Sequence, residues 1–174
     1  WKRKTMNAPW HQGETVLTGI GQGYLLATPL QMVVMTAQLA NGELKVTPRL
    51  TRSRFAAKTG KTDPGRQFES LNLVPQHLQL VRQAMEGVVN KPRGTAYRAR
   101  IRKRGMAMGG KTGTADKPKP KGGYYKDKVI ATFASIFPIH DPKYVLVVTL
   151  DEPEIHAAGE LRRTAGWTAV PVAA

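Results

Sequence analysis

The sequence predicts an α+β fold in which helices flank an antiparallel strand meander. Three observations carry this. Apolar residues recur at helical spacing in two upstream segments, with Leu30, Val33, Val34 and Ala37 on one stripe and Leu78, Val81, Met85 and Val88 on another. Downstream, three runs have strand character: the stretch holding Lys111 to Thr114, then Lys128 to Phe137, then Tyr144 to Leu150. Gly122-Gly123 and Asp141-Pro142 punctuate those runs where hairpin turns belong. A chain of 174 residues, 41% hydrophobic, suffices for one domain with a core.

In chain order, residues 1–18 are polar, carry Pro9 and Gly13, and read as a loop entering a short strand from Glu14 to Leu17. Gly19-Ile20-Gly21-Gln22-Gly23 lacks the spacing of a dinucleotide-binding turn, and Tyr24 to Ala27 separate it from the next helix. That helix has a clear start: Thr28 can cap, Pro29 suits the first position and Gln31 completes a capping box. Asn41-Gly42 ends it with residues that tolerate positive φ, and its Met residues read as core filler. Leu44 to Leu50, interrupted by Pro48, reads as an edge strand or extended link. Thr51 to Glu69 reads as basic loop and the place for disorder. A second helix is expected over 75–89, stopped by Asn90-Lys91-Pro92. Gly94 to Tyr97 reads as a turn and Arg98 to Arg104 as a basic link.

The Pro-alternating run Lys117 to Lys121 favours extended backbone leading to a Gly122-Gly123 tip. Tyr144 to Leu150 is apolar on both faces and should lie inside a sheet. Yet a meander of three strands leaves the third on an edge, so a partner strand is expected from outside the chain. Asp151 to Arg163 reads as acidic loop, and Thr164 to Ala174 as the approach to a helix.

Composition narrows the function. There is no Cys, which excludes disulfides and thiolate metal sites. His11, His77, His140 and His156 show no ligand spacing, so neither metal nor cofactor is expected. No run is long and apolar enough to span a membrane as a helix. The chain opens Trp1-Lys2-Arg3-Lys4 rather than on Met, which suggests a piece of a longer protein. Net charge is +15, and its excess lies between Lys91 and Lys126, where Asp116 is the only acid. An anionic partner is therefore one reading, and a basic module for nucleic acid or anionic membrane is the alternative function. With only Tyr97, Tyr124 and Tyr125 interleaved in the block, single-stranded nucleic acid is the weaker form of it.

The chemistry concentrates in Met108-Gly109-Gly110-Lys111-Thr112-Gly113-Thr114-Ala115. A glycine pair there admits close approach of a ligand, Lys111 offers an ammonium, and Thr112 and Thr114 offer hydroxyls. Such a strand suits an extended ligand with a carboxylate, added alongside as a further strand. Lys-Thr-Gly also occurs at Lys58-Thr59-Gly60, in a segment without pattern that reads as solvated loop. Strand alternation puts Thr112 and Thr114 on one face and Lys111 and Gly113 on the other, and how both address one ligand is left open.

With these residues in view, the chain resembles the class B penicillin-binding proteins. Gly13 to Tyr24 running into Thr28-Pro29-Leu30-Gln31, then Gly94-Thr95-Ala96-Tyr97, then Gly110 to Ala115, are similar to the elongation type. Tyr124-Tyr125, Ile130 to Pro138, Val148 to Pro153 and Thr164 to Ala174 are more similar to the division type. The resemblance covers nearly the whole chain and leaves the subtype open. It implies the C-terminal part of a single transpeptidase domain of the penicillin-binding-protein/β-lactamase-like fold: a helical part at about 1–104, a meander at about 105–150 and a tail at 151–174.

That family uses S-x-x-K, S-x-N and K-T-G motifs. Only the last is convincing here: Ser53, Ser70 and Ser135 have no Lys three positions on, and Ser70-Leu71-Asn72 lies on the wrong side of the Gly-Gln-Gly segment. The resemblance implies roles residue by residue. Lys111 would sit beneath the nucleophile, Thr112 and Thr114 would bind a substrate or β-lactam carboxylate, Gly113 would leave room for the ligand backbone, and the Thr114 backbone N–H would serve as an oxyanion donor. The implied partners are peptidoglycan stem peptides, β-lactams, the N-terminal part of the same domain and cell-wall synthesis proteins. Self-association through the uncovered edge is a further expectation. The implied place is the periplasmic face of the bacterial inner membrane. Without its nucleophile the isolated chain is expected to be inactive.

Overall fold

In the computed structural model, which describes residues 1–42, 44–51, 54–61, 69–120 and 122–174, the helices come first and the strands second. Helices α1 (Lys2–Met6), α2 (Gln12–Gly19), α3 (Pro29–Asn41), α4 (Arg54–Thr59) and α5 (Pro75–Asn90) precede strands β1 (Gly109–Pro118), β2 (Tyr124–Phe137) and β3 (Tyr144–Asp151). A small hairpin, β4 (Ile155–Ala157) and β5 (Glu160–Arg162), and helix α6 (Ala169–Ala173) follow.

The main sheet is antiparallel in the order β1-β2-β3, as the meander requires. Its register fixes two faces, because directly opposed residues share a side. Thr112 lies opposite Phe133, which lies opposite Val148; Thr114, Ala131 and Leu150 form the next row. That face packs on α6, the end of α5 and the 3-10 turn Tyr97–Ala99, in a core of Val89, Ala96, Ala99, Ala131, Phe133, Ala169 and Val170. Phe133 is fully buried, and removing such a side chain from water contributes about 2–3 kcal/mol. The opposite face carries Ile136 and Val145, which pack with Ala40 and Leu39 of α3, Met85 of α5 and Ile139. The sheet is thus the middle of three layers, and α5 serves both outer ones.

Helix α3 starts as its sequence dictates: Thr28 Oγ1 accepts from Gln31 N at 3.2 Å, and Gln31 Oε1 accepts from Thr28 N at 2.8 Å. Gly42, at φ 100°, closes it. The expected stripe is rotated, however. Thr36 and Ala40 are the buried positions, while Leu30 stays 53% exposed. The sheet selects small side chains there, so close approach outweighs hydrophobic size. On α5 the buried residues are Leu78, Met85 and Val89, with Val81 on the exposed flank and Val88 half-buried.

Four other expectations are corrected. Residues 1–18 form α1 and α2, not a loop and strand. Glu14 lies three residues into α2, where its carboxylate accepts from His11 N at 2.7 Å and pairs with the Lys2 ammonium, so a local cap overrides the short apolar run. The basic segment 51–69 contains α4, which takes in Lys58 and Thr59; residues 52–53 and 62–68, to which the expectation of disorder also extended, lie outside the described residues. Of the two alternatives for Leu44 to Leu50 the edge strand is the one overturned: Leu44 makes an isolated bridge with Ser70, and Lys45 N donates to the Glu69 carbonyl at 2.8 Å. Asp151 to Arg163 is not all loop: Ala158 (φ 54°) and Gly159 (φ 78°) make the two-residue left-handed turn that closes β4 on β5.

Strand β2 also begins at Tyr124 rather than Lys128, since Pro118 of β1 pairs with Tyr124 across the Gly122-Gly123 tip. Strand β3 is an edge strand, half exposed along its length, with Tyr144 at 68% and Leu146 at 44%. Among the described residues, no strand covers its outer side.

The turn after α5 is packed without slack. A Cβ on Gly94 would lie 2.1 Å from the Val88 carbonyl oxygen and 2.7 Å from that of Gly87. Gly94→Ala should therefore destabilise the chain by about 1–3 kcal/mol in urea unfolding, as overpacking of a fixed backbone does. Gly113→Ala, where a Cβ meets nothing closer than 3.9 Å, should change stability by under about 0.5 kcal/mol.

Candidate functional site

Strand β1 is anchored at its start and open beyond it. Asn90 of α5 donates from Nδ2 to the Met108 carbonyl at 2.9 Å and to that of Glu86 at 3.0 Å. Gly109 lies under Ile139, whose side chain a Cβ would meet at 2.6 Å. Gly110 lies against the Phe133 ring, at 2.5 Å from an added Cβ. The glycine pair therefore serves internal packing, and its expected role in ligand approach is corrected: the residue with open space is Gly113.

From Lys111 onward the sheet leaves the outer edge of β1 unpaired among the described residues. On one face, Thr112 and Thr114 border a cleft of about 500 Å³ shared with Thr95, Arg98, Thr164 and Trp167. Thr112 Oγ1 and Thr95 Oγ1 are 2.8 Å apart and share a hydrogen bond. Thr114 Oγ1 accepts from the Ala165 backbone N–H at 3.1 Å. Each arrangement leaves a hydroxyl proton to spare: one from the Thr95–Thr112 pair, one from Thr114. Gly166 fits against Thr95, where a Cβ would meet the Thr95 carbonyl oxygen at 2.9 Å. The site is thus assembled from the turn after α5, strand β1 and the segment leading to α6.

Lys111 is exposed on the other face and does not border this cleft. Its ammonium donates to the Thr112 carbonyl of its own strand. The alternation read from the sequence holds, and the strand's edge is what both faces have in common. Sequence reasoning missed Thr95, Arg98, Ala165 and Trp167 as site residues. Gly94-Thr95-Ala96-Tyr97 and Thr164 to Ala174 stood out as family-like text, but nothing local said that they meet β1.

Ser70 and Asn72 do not border the cleft; Ser70 Oγ accepts from Asn72 N at 3.0 Å in a local turn. Among the described residues no group of three or more His, Asp or Glu is placed to hold a metal ion. Part of the basic block is engaged internally: Arg98 stacks on Trp167 at 4.2 Å and Arg100 on Tyr97 at 3.8 Å.

The far half of β1 is tied across the sheet. Lys117 Nζ donates to Asp151 at 2.8 Å and to Glu152 at 2.7 Å, and Lys128 Nζ reaches Glu152 at 2.7 Å. Hydrogen bonds donated by Lys117 and Lys128 hold the Glu152 carboxyl below its ordinary value, and the bonds that Lys117 donates to Asp151 and Glu152 push its own amine up.

The penicillin binding protein transpeptidase domain model matches residues 3–168. The chain belongs to this family. Against the peptidoglycan D,D-transpeptidase MrdA of Escherichia coli it is 39% identical over 101 residues, 56% of the chain and 16% of that protein. Against the penicillin-binding protein PbpB of Mycolicibacterium smegmatis it is 35% identical over 146 residues, 80% of the chain and 22% of that protein. Among solved structures, Pseudomonas aeruginosa PBP2 in complex with WCK 5153 matches at a TM-score of 0.71 and 30% identity, over 99% of the chain and 33% of that structure. Mycobacterium tuberculosis penicillin-binding protein 3 complexed with aztreonam matches at 0.70 and 31%, over 90% and 36%. The chain thus spans about a fifth of the curated relatives' length and about a third of the solved chains. Its mixed helix and antiparallel sheet is the transpeptidase-domain fold of those structures.

The ionic tie across the sheet has a pH signature. A depressed carboxyl stabilises the fold above its ordinary value of 4.5 and loses that contribution as pH falls through the lowered one. The thermal stability of the chain should accordingly fall below about pH 4.5, and Glu152→Gln should flatten that fall. The difference should shrink in high salt, because the groups are partly exposed to solvent.

Proposed function

We propose that this chain is the substrate-gripping C-terminal part of a peptidoglycan D,D-transpeptidase that crosslinks stem peptides. The observation that carries this is the edge of β1, unpaired among the described residues, along which Thr112 and Thr114 border a hydroxyl-lined cleft. The domain reading follows: residues 1–174 form one part of a single transpeptidase domain, with a helical part to about 104, a meander to about 150 and a tail from 151.

An extended D-alanyl-D-alanine terminus adds to β1 as a further strand. The spare hydroxyl protons at Thr112 and Thr114 go to its carboxylate, and Gly113 leaves its backbone room. Lys111, on the other face, keeps the attacking side positive. The Thr114 backbone N–H donates to the oxyanion as the carbonyl becomes tetrahedral. No S-x-x-K occurs in the 174 residues, so the serine that attacks and the base that serves it belong to polypeptide outside them. The acyl group then passes to the amine of a neighbouring stem. β-Lactams acylate the same serine. The parent protein works at the periplasmic face of the inner membrane beside other cell-wall synthesis proteins. The rest of its domain covers the open side of β3.

Intact-mass measurement after incubation with a β-lactam should show no covalent gain on this chain. In the same mixture the backbone amide signals of Thr112, Gly113 and Thr114 should shift. An adduct would place the nucleophile inside the chain, and unshifted amides would remove the grip. Gly113→Val should abolish those shifts while leaving the free energy of unfolding within about 1 kcal/mol of the parent, since the space it fills belongs to the ligand rather than to the fold.

A further inference from the structure

The cleft beside β1 holds one cation that the reading above does not use. Arg98 borders it together with Thr95, Thr112, Thr114 and Thr164, and no acidic residue does. The Arg98 guanidinium stacks on the Trp167 ring at 4.2 Å. Stacking occupies the face of the guanidinium and leaves the N–H fork at its rim free for a planar anion. Among the described residues no carboxylate pairs with Arg98. Its neighbours differ: Arg163 pairs with Glu154 at 2.9 Å, Arg162 with Glu160, and Lys117 with Asp151 and Glu152.

One further guanidinium nitrogen near the ring has no acceptor among the described residues. Arg162 also approaches Trp167, at 5.3 Å, and its Nε is buried without a partner. Arg162 has Glu160 as its ion partner, so the cation left without a carboxylate in the cleft is Arg98, beside two hydroxyls with protons to spare.

We propose that Arg98 recognises the ligand's terminal carboxylate from the cleft side of β1, together with the hydroxyls of Thr112 and Thr114, and so selects a free acid over an amide. This rests on the stem-peptide reading and deepens it. The two cations beside β1 then divide the work between its faces: Arg98 takes the leaving residue's carboxylate, and Lys111 serves the side from which attack comes. Arg98 is a binding residue and takes no part in proton transfer.

The test is a backbone and indole NMR titration of the chain with two probes, N-acyl-D-alanyl-D-alanine and its C-terminal amide, and separately with sodium acetate. Arg98 is exposed, so Arg98→Gln should leave the folded spectrum intact outside the cleft. The parent chain should bind the acid about three- to tenfold more tightly than the amide, the range for an exposed charge-assisted pair. Arg98→Gln should bring the two within about twofold, and Arg98→Lys should fall between, because it keeps the charge and loses the fork. Acetate should shift the Trp167 indole N–H in the parent and not in Arg98→Gln.

Equal binding of acid and amide by the parent overturns the proposal. So does a full acid preference kept by Arg98→Gln. If neither peptide perturbs Thr112 to Thr114 while acetate still moves Trp167 through Arg98, the anion subsite stands and the stem-peptide reading falls. If acetate moves nothing, the subsite falls as well.

Discussion

Everything at this site depends on how closely β1 can lie against the layers around it. Gly109 and Gly110 have no side chains, so Ile139 and the Phe133 ring close over the start of the strand at distances that a Cβ would forbid. The Phe133 row then carries β3 and α6 into register with Thr112. Dense interiors have few alternative arrangements. A strand seated this way presents its next residues at a fixed height above the core.

That seating explains why residues far apart in the chain share one cleft. The turn after α5 is pressed onto that helix at Gly94, and Gly166 is pressed onto Thr95. The Thr95–Thr112 hydrogen bond and the Ala165–Thr114 hydrogen bond then connect segments 17 and 51 residues apart. Each contact is modest by itself, on the order of 1 kcal/mol. Their effect is positional: they orient two hydroxyls whose remaining protons have somewhere to point. Preorganised donors of this kind are what recognition of a charged ligand end requires.

Much of the fold was legible because it is written locally. The Thr28-Pro29-Leu30-Gln31 cap, the Asn41-Gly42 stop and the run of apolar strands each depend on neighbours in sequence, and each stands in the structure. Failures came where a distant partner or a hidden turn decided. Glu14 belongs to a helix because Lys2 and His11 hold it there. Thr36 and Ala40, rather than Leu30, face the sheet because the sheet admits small groups. Ala158-Gly159 concealed a hairpin inside an acidic stretch. At the site, the residue types on β1 could be read as a ligand strand, whereas Thr95, Arg98 and Trp167 could not. Their relevance exists only once three segments have been brought together.

The outer side of β3, which no strand covers among the described residues, also matters for β1. Strand β2 is hydrogen-bonded to both, so β1 and β3 are two ladder spacings, about 10 Å, apart. A strand seated on β3 alters the twist of a sheet that is only three strands wide, and twist passes through shared ladders. The two rims therefore share β2 as their common hydrogen-bonded neighbour, and a change of twist at one of them reaches the other through a single strand.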